Sequence, residues 1–240
     1  MSQERGMIFN GEMVCAILDG RKTQTRRIVK GVDGAVSFNL EWDIHNNEIF
    51  VVLGERDHTG LNPILGAISC PFGVVGDRIW VRETFQGPLV SEELFEEYRA
   101  NPEKFETPQY CEYAADGGAK PEYCDLDDNL RHGWRPSIHM PRWASRILLE
   151  ITSVRVESLN DISEIDANHE GMMFTDYGVG RFGQQRPGYC WKPTKHTDEC
   201  LPNARMAFAN VWESLYGDYT WRANPWVWVI EFKRVQERAA

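Results

Sequence analysis

Apolar positions change their spacing several times along the 240 residues, and each change marks an element. Met13, Val14, Ile17 and Leu18 recur at helical spacing and Gly20 supplies a stop, which predicts a short first helix. Beyond a turn at Gly76-Asp77, the run Ile79-Trp80-Val81-Arg82-Glu83-Thr84 reads as a strand. Ile147, Leu149 and Ile151 alternate with Leu148, Glu150 and Thr152 and lead into Val154-Arg155-Val156, so a long strand is predicted over 146–157. Ser163 and Asp166 have the spacing of a capping box that opens a second short helix, ending at Gly171. Phe208, Val211, Trp212 and Leu215 stripe a third helix, stopped by Gly217. The closing strand, Trp226 to Lys233, puts Trp226, Trp228, Ile230 and Phe232 on one face. Its other face begins apolar, with Val227 and Val229, and ends charged, with Glu231 and Lys233.

Between these elements lie 31–70, 91–133 and 172–203, all rich in Gly, Pro, Asn and Asp. Structureless loops of that length are uncommon in a compact domain, so we read them as insertions with some structure of their own. No repeat and no linker divides the chain, and residues 1–240 are expected to form one domain. Few helices and several non-adjacent strands point to an α+β fold, a small mixed β-barrel with short flanking helices, rather than a parallel βαβ sheet.

Composition narrows the class. Hydrophobic residues make up 42% of the chain, too many for a disordered one. No apolar run approaches the ~20 residues of a membrane-spanning helix. The first twenty residues carry only a short apolar patch broken by Asn10, Gly11 and Glu12, so no signal peptide is expected and the protein is read as cytoplasmic. A chain of this size buries roughly 70–75% of its unfolded surface and needs no staple. The six cysteines show no two-residue spacing of a zinc knuckle. Cys190, His196 and Cys200 are the metal alternative; free thiols, no structural metal and no cofactor are expected.

Net charge, −10 from 26 basic and 36 acidic residues, at first argues against a nucleic-acid partner. The charges are unevenly placed, however. Residues 91–131 hold twelve acids and four bases, a net of −8, whereas Gly20 to Gly31 holds five bases and no acid. The chain is thus a nearly neutral body with an acidic insertion and a basic loop, and its total charge says little about its ligand.

That loop, GRKTQTRR, directly follows the first helix. By composition it is a solvated cationic helix terminus. Lys22 and Thr25, three apart, are close enough to meet in a turn, where a lysine crowded by Arg21, Arg26 and Arg27 has its pKa lowered and can deprotonate the threonine. Arg26 and Arg27 suit phosphate or base edges. A second constellation, Arg135, His139, Arg142, Trp143 and Arg146, mixes cations with aromatic surface able to clamp a base, although Trp134 and Trp143 equally suit a packed barrel. Glu83, at the end of its strand, either points into the pocket or pairs with the neighbours of Arg82.

Taken in order, GRKTQTRR, GDRIWVRETF (Gly76–Phe85), DISEIDANHEGM (Asp161–Met172) and WVWVIEFKRV resemble the ASCH domain family of the PUA-like superfamily of small β-barrels. WRPSIHMPRWASRI (Trp134–Ile147) and NPWVWVIEF (Asn224–Phe232) look like the larger bacteriophage and prophage members. Small bacterial members remove the acetyl group from acetylcytidine with a Lys, a Thr and a Glu. The resemblance implies Lys22 as general base, Thr25 as nucleophile and Glu170 as proton donor; Arg26, Arg27, Glu83, His139, Arg142 and Trp143 are the candidate substrate-binding residues on their own chemistry. It also implies two departures: this chain is more than twice as long as those enzymes, and other members bind or cleave RNA.

The expected function is therefore an amidohydrolase acting on an N-acylated nucleoside or base. Two alternatives stand beside it. One is a non-catalytic module that binds RNA or a modified nucleobase. The other is a phage accessory protein meeting a protein partner through the acidic 91–131 segment, cytoplasmic in a bacterial host. No membrane partner is expected.

Overall fold

The computed structural model describes residues 2–45, 47–124, 129–179, 185–192 and 200–235. In chain order its strands are β1 (Glu4–Ile8), β2 (Gln24–Ile28), β3 (Ser37–Trp42), β4 (Glu48–Leu53), β5 (Ile64–Ile68), β6 (Arg78–Arg82), β7 (Phe85–Gln86), β8 (Glu112–Tyr113), β9 (Glu122–Cys124), β10 (Leu130–His132), β11 (Leu148–Ser158), β12 (Met173–Val179), β13 (Gln185–Cys190) and β14 (Trp226–Val235). The helices are α1 (Gly11–Leu18), α2 (Glu92–Ala100), α3 (Glu164–His169) and α4 (Ala204–Tyr216). The fold is mixed α+β and mostly strand.

The chain forms two compact units. One contains the first twenty residues and Arg78–Glu150; the other contains Arg21–Asp77 and Ile151–Lys233. In the first unit β1 runs parallel to β6, with Met7 opposite Val81, and β6 pairs antiparallel with the start of β11, with Ile79 opposite Leu149. Met7, Ile79, Val81, Ile147 and Leu149 are buried there. α1 is capped by Asn10, whose side chain accepts from the Met13 amide at 2.8 Å. Phe85, Tyr113, Met140 and Ala144 form a second small core, against which Trp143 packs.

The second unit is layered around β14. β2 pairs antiparallel with β14, placing Thr25 opposite Ile230 and Arg27 opposite Trp228. One face of β14 meets the antiparallel sheet β3–β4–β5, through edge contacts of Phe38 on Trp226 and Phe50 on Trp228, each at 5.0 Å between ring centres. On α4 the predicted stripe buries Phe208, Val211 and Trp212, while Leu215 stays exposed. The α3 capping box forms as its sequence predicts: the Ser163 hydroxyl accepts from the Asp166 amide at 3.0 Å, and the Asp166 carboxylate reaches back to the Ser163 amide.

Three expectations change. The strands do not close into a barrel. Among the described residues β1 has only β6 as a strand neighbour and β2 only β14, and β3–β5 pair with one another instead of completing a ring. Arg26 and its neighbours form strand β2 rather than a loop or turn. Cys190 and Cys200 are joined by a disulfide, contrary to the expected thiols; Cys15, Cys70, Cys111 and Cys124 are not in disulfides. His196, the third member of the metal alternative, lies outside the described residues, as do Asp125, Asp127 and Asp128 of the acidic segment. Among the described residues no helix is long and apolar enough to cross a membrane.

Candidate active site

Residues 22 and 23 are pinned by backbone bonds before β2 begins. Lys22 makes an antiparallel bridge with Glu170, the Thr23 amide donates to the His169 carbonyl at 2.8 Å, and the Phe232 amide donates to the Thr23 carbonyl at 2.8 Å. Glu170 is the residue that ends α3, so the capping box at the start of that helix also fixes its position. Lys22 is thereby driven against Glu170. Its Nζ donates to the Glu170 carboxylate at 2.6 Å and to the Glu170 carbonyl at 3.1 Å. Arg26 holds the other oxygen of the same carboxylate at 3.1 Å.

A wider set of charges surrounds this pair. Arg26 Nη2 donates to Glu157 at 3.0 Å and lies 3.8 Å from Asp166. Arg155 bonds Glu157 and Glu231 and reaches Asp166 at 3.4 Å. Gln24 Nε2 donates to the Asp166 carbonyl at 2.9 Å. Three cations and four carboxylates are thus clustered on one side of β2, with the side chains of Lys22 and Arg26 fully buried. Two buried polar atoms in the cluster, Gln24 Oε1 and Arg26 Nε, have no partner. Native interiors rarely leave such groups unpaired, and those that do invite a functional reason.

Burial lowers the Lys22 pKa below its ordinary value; the Glu170 carboxylate opposes this, and the positive charges of Arg27 and Arg26 add to the lowering. The expected direction is met, but desolvation is the main cause rather than crowding by arginines. Arg21 instead donates to the Gly171 carbonyl at 2.7 Å. Burial also pushes the Asp166 carboxyl up, but the Ser163 hydrogen bond and the Arg26 charge outweigh it and hold Asp166 below the usual range.

Thr25 does not join Lys22 and Glu170 directly. Successive side chains in a strand point to opposite faces. Gln24 and Arg26 face α3, so Thr25 and Arg27 face the other way, as does Trp228 opposite Arg27, which packs on Phe50 of the β3–β5 layer. Thr25 is 1% exposed, and its hydroxyl bonds neither Lys22 nor Glu170.

Glu83, His139, Arg142 and Trp143, also expected at the substrate, belong to the first unit. Glu83 is buried in the first unit and takes a two-point hydrogen bond from Arg146, 3.0 Å on each oxygen. Arg146 also bonds Asp116 at 2.8 Å and lies 3.9 Å above the Tyr113 ring. The partner observed for Glu83 is Arg146, 63 residues along the chain, and not a neighbour of Arg82. Arg142 pairs with Glu4 at 2.8 Å, Trp143 packs on the core, and His139 is exposed in the 3₁₀ turn Ser137–His139. The acidic segment frames a cavity of about 430 Å³ lined by Val90, Glu92, Phe95, Glu122, Tyr123 and Leu130, among others.

Sequence reasoning missed Gln24, Arg155, Glu157, Asp166 and Glu231. A usable signal existed for three of them. Asp166 and Glu170 are four apart on α3 and share a face, and Arg155 and Glu157 alternate onto one face of β11.

Comparison of the chain with protein families, with characterised proteins and with solved structures gives no match.

Proposed function

We propose that the protein is an amidohydrolase that removes an acyl group from an N-acylated nucleoside or base. Lys22 and Glu170 serve as its proton-transfer pair and Thr25 as its nucleophile. The observation that carries this reading is the buried 2.6 Å contact between Lys22 Nζ and Glu170, in which burial holds the lysine pKa low. A lysine and a carboxylate in direct contact can pass one proton between them, the lysine acting as base and the carboxyl as acid. In acylation, neutral Lys22 takes the Thr25 proton as Oγ1 bonds to the acyl carbon. The C–N bond then breaks while protonated Glu170 donates to the leaving amine. Water hydrolyses the acyl-threonine, and the proton left on Lys22 returns to Glu170. Because Thr25 faces away from Glu170, this route requires Lys22, which precedes β2, to swing its neutral amine round the end of the strand.

Incubation with acetylcytidine tests the proposal. Lys22→Ala, Thr25→Ala and Glu170→Gln should each lower kcat/KM by roughly 10²–10⁴-fold. Turnover that survives Thr25→Ala assigns the attack to water, and a wild type inactive on every acylated nucleoside abandons the hydrolase.

One observation favours a second reading, a non-catalytic module for RNA or a modified nucleobase. The Lys22 and Glu170 side chains are 0% and 2% exposed, as in a charge cluster that staples β2 to α3. Phosphate contacts would then make affinity fall steeply with salt.

A further inference from the structure

The second unit contains a cavity that the amidohydrolase reading does not use. It encloses about 420 Å³ and is lined by Ile28, Val29, Lys30, Ile68, Ser69, Pro71, Phe72 and Trp228. It forms where β2 and β5 end, so its walls come from strand termini. Trp228, almost fully buried, lies on the β14 face that meets the β3–β5 layer, and Phe72 contributes a second, half-buried ring.

Polar capacity is concentrated in two side chains. Lys30 and Ser69 are both exposed, and neither side chain makes a hydrogen bond or ion pair among the described residues. Among the described residues no carboxylate lines the cavity. An apolar hollow with a few convergent polar groups is the usual form of a small-molecule site. The two rings favour a flat aromatic body, which gains edge or offset contacts beyond its buried area. A lone ammonium beside a hydroxyl donor selects negative charge at one end of that body.

We propose that this cavity binds a small planar aromatic anion, its ring against Trp228 and Phe72 and its charged group at Lys30 and Ser69. The inference stands independently of the hydrolase, since Lys22, Thr25 and Glu170 do not line the cavity.

Titration of the full chain with 2-naphthoate, followed by calorimetry, tests it against 2-naphthamide, the neutral ligand of the same shape. Saturable one-to-one binding is expected for the acid, weaker for the amide. Lys30→Gln should weaken the acid roughly two- to fivefold, the range of an exposed ion pair, and leave the amide unchanged. Ile68→Trp, which fills the hollow, should abolish both. If that variant unfolds by circular dichroism, Ser69→Trp at the exposed rim serves in its place. Equal affinity for acid and amide overturns the proposal, as does acid binding unaffected by Lys30→Gln or by filling, or no saturation at millimolar ligand.

Discussion

Glu170 accepts from two buried cations, Lys22 on one oxygen and Arg26 on the other. Removing its charge leaves both cations desolvated and short of a partner, so Glu170→Gln should destabilise the protein by about 3–5 kcal/mol, read as a shift of the urea midpoint. The pH behaviour of the site follows from the same contacts. With the Lys22 pKa below 10.5, the neutral base is present at a lower pH than for an exposed lysine. If Lys22 and Glu170 share the working proton, kcat/KM should fall as pH rises through an apparent pKa below 10.5, because the pair then loses that proton. A profile that keeps climbing through 10.5 removes Lys22 from that role. Asp166 behaves oppositely. Its folded pKa lies below 3.8, so its carboxylate contributes stability in full above 3.8, lost as pH falls through the folded value. Asp166→Asn should therefore flatten the stability profile below pH 4, measured by denaturation across an acid series.

At the level of elements, the site depends on how α3 begins and how β14 is paired. Ser163→Ala removes one arm of the capping box and should lower stability by about 0.5–2 kcal/mol, seen in thermal melts. Ile230 is fully buried opposite Thr25, and Ile230→Ala should lower stability by about 2–5 kcal/mol. The elements differ in how far their sequences announce them. α3 is legible because Ser163 and Asp166 satisfy each other within one turn. β14 is legible because its apolar residues alternate over a long run. β2 is not: its sequence, QTRRI, has the composition of an exposed basic loop. Arg26 is buried there because its partners arrive from Glu157 and Glu170, more than 130 residues along the chain, and no local pattern records that.

For the whole molecule, the −10 net charge hides a segment of −8 and a basic run of which Lys22 and Arg26 are paired with carboxylates. Lys22 and Arg26 are paired inside the second unit, so the run does not offer its full charge to a long polyanion. The disulfide closes a separation of 10 residues. On loop length it should contribute about 2–3 kcal/mol, so a reducing agent should lower the denaturation midpoint, and Cys190→Ser should remove that sensitivity.

By itself the sequence determined the short-range features: where α1, α3 and α4 lie, and that β11 and β14 are strands. Local spacing and capping are sufficient for these, because each is satisfied within a few residues. Tertiary structure alone decided that the strands stay open, that Cys190 meets Cys200, and that Glu83 is spent on Arg146. It also decided that Lys22 meets Glu170 while Thr25 faces the opposite layer. These outcomes depend on which distant segment supplies the partner for a buried charge or a strand edge, and a period along one chain carries no record of that choice.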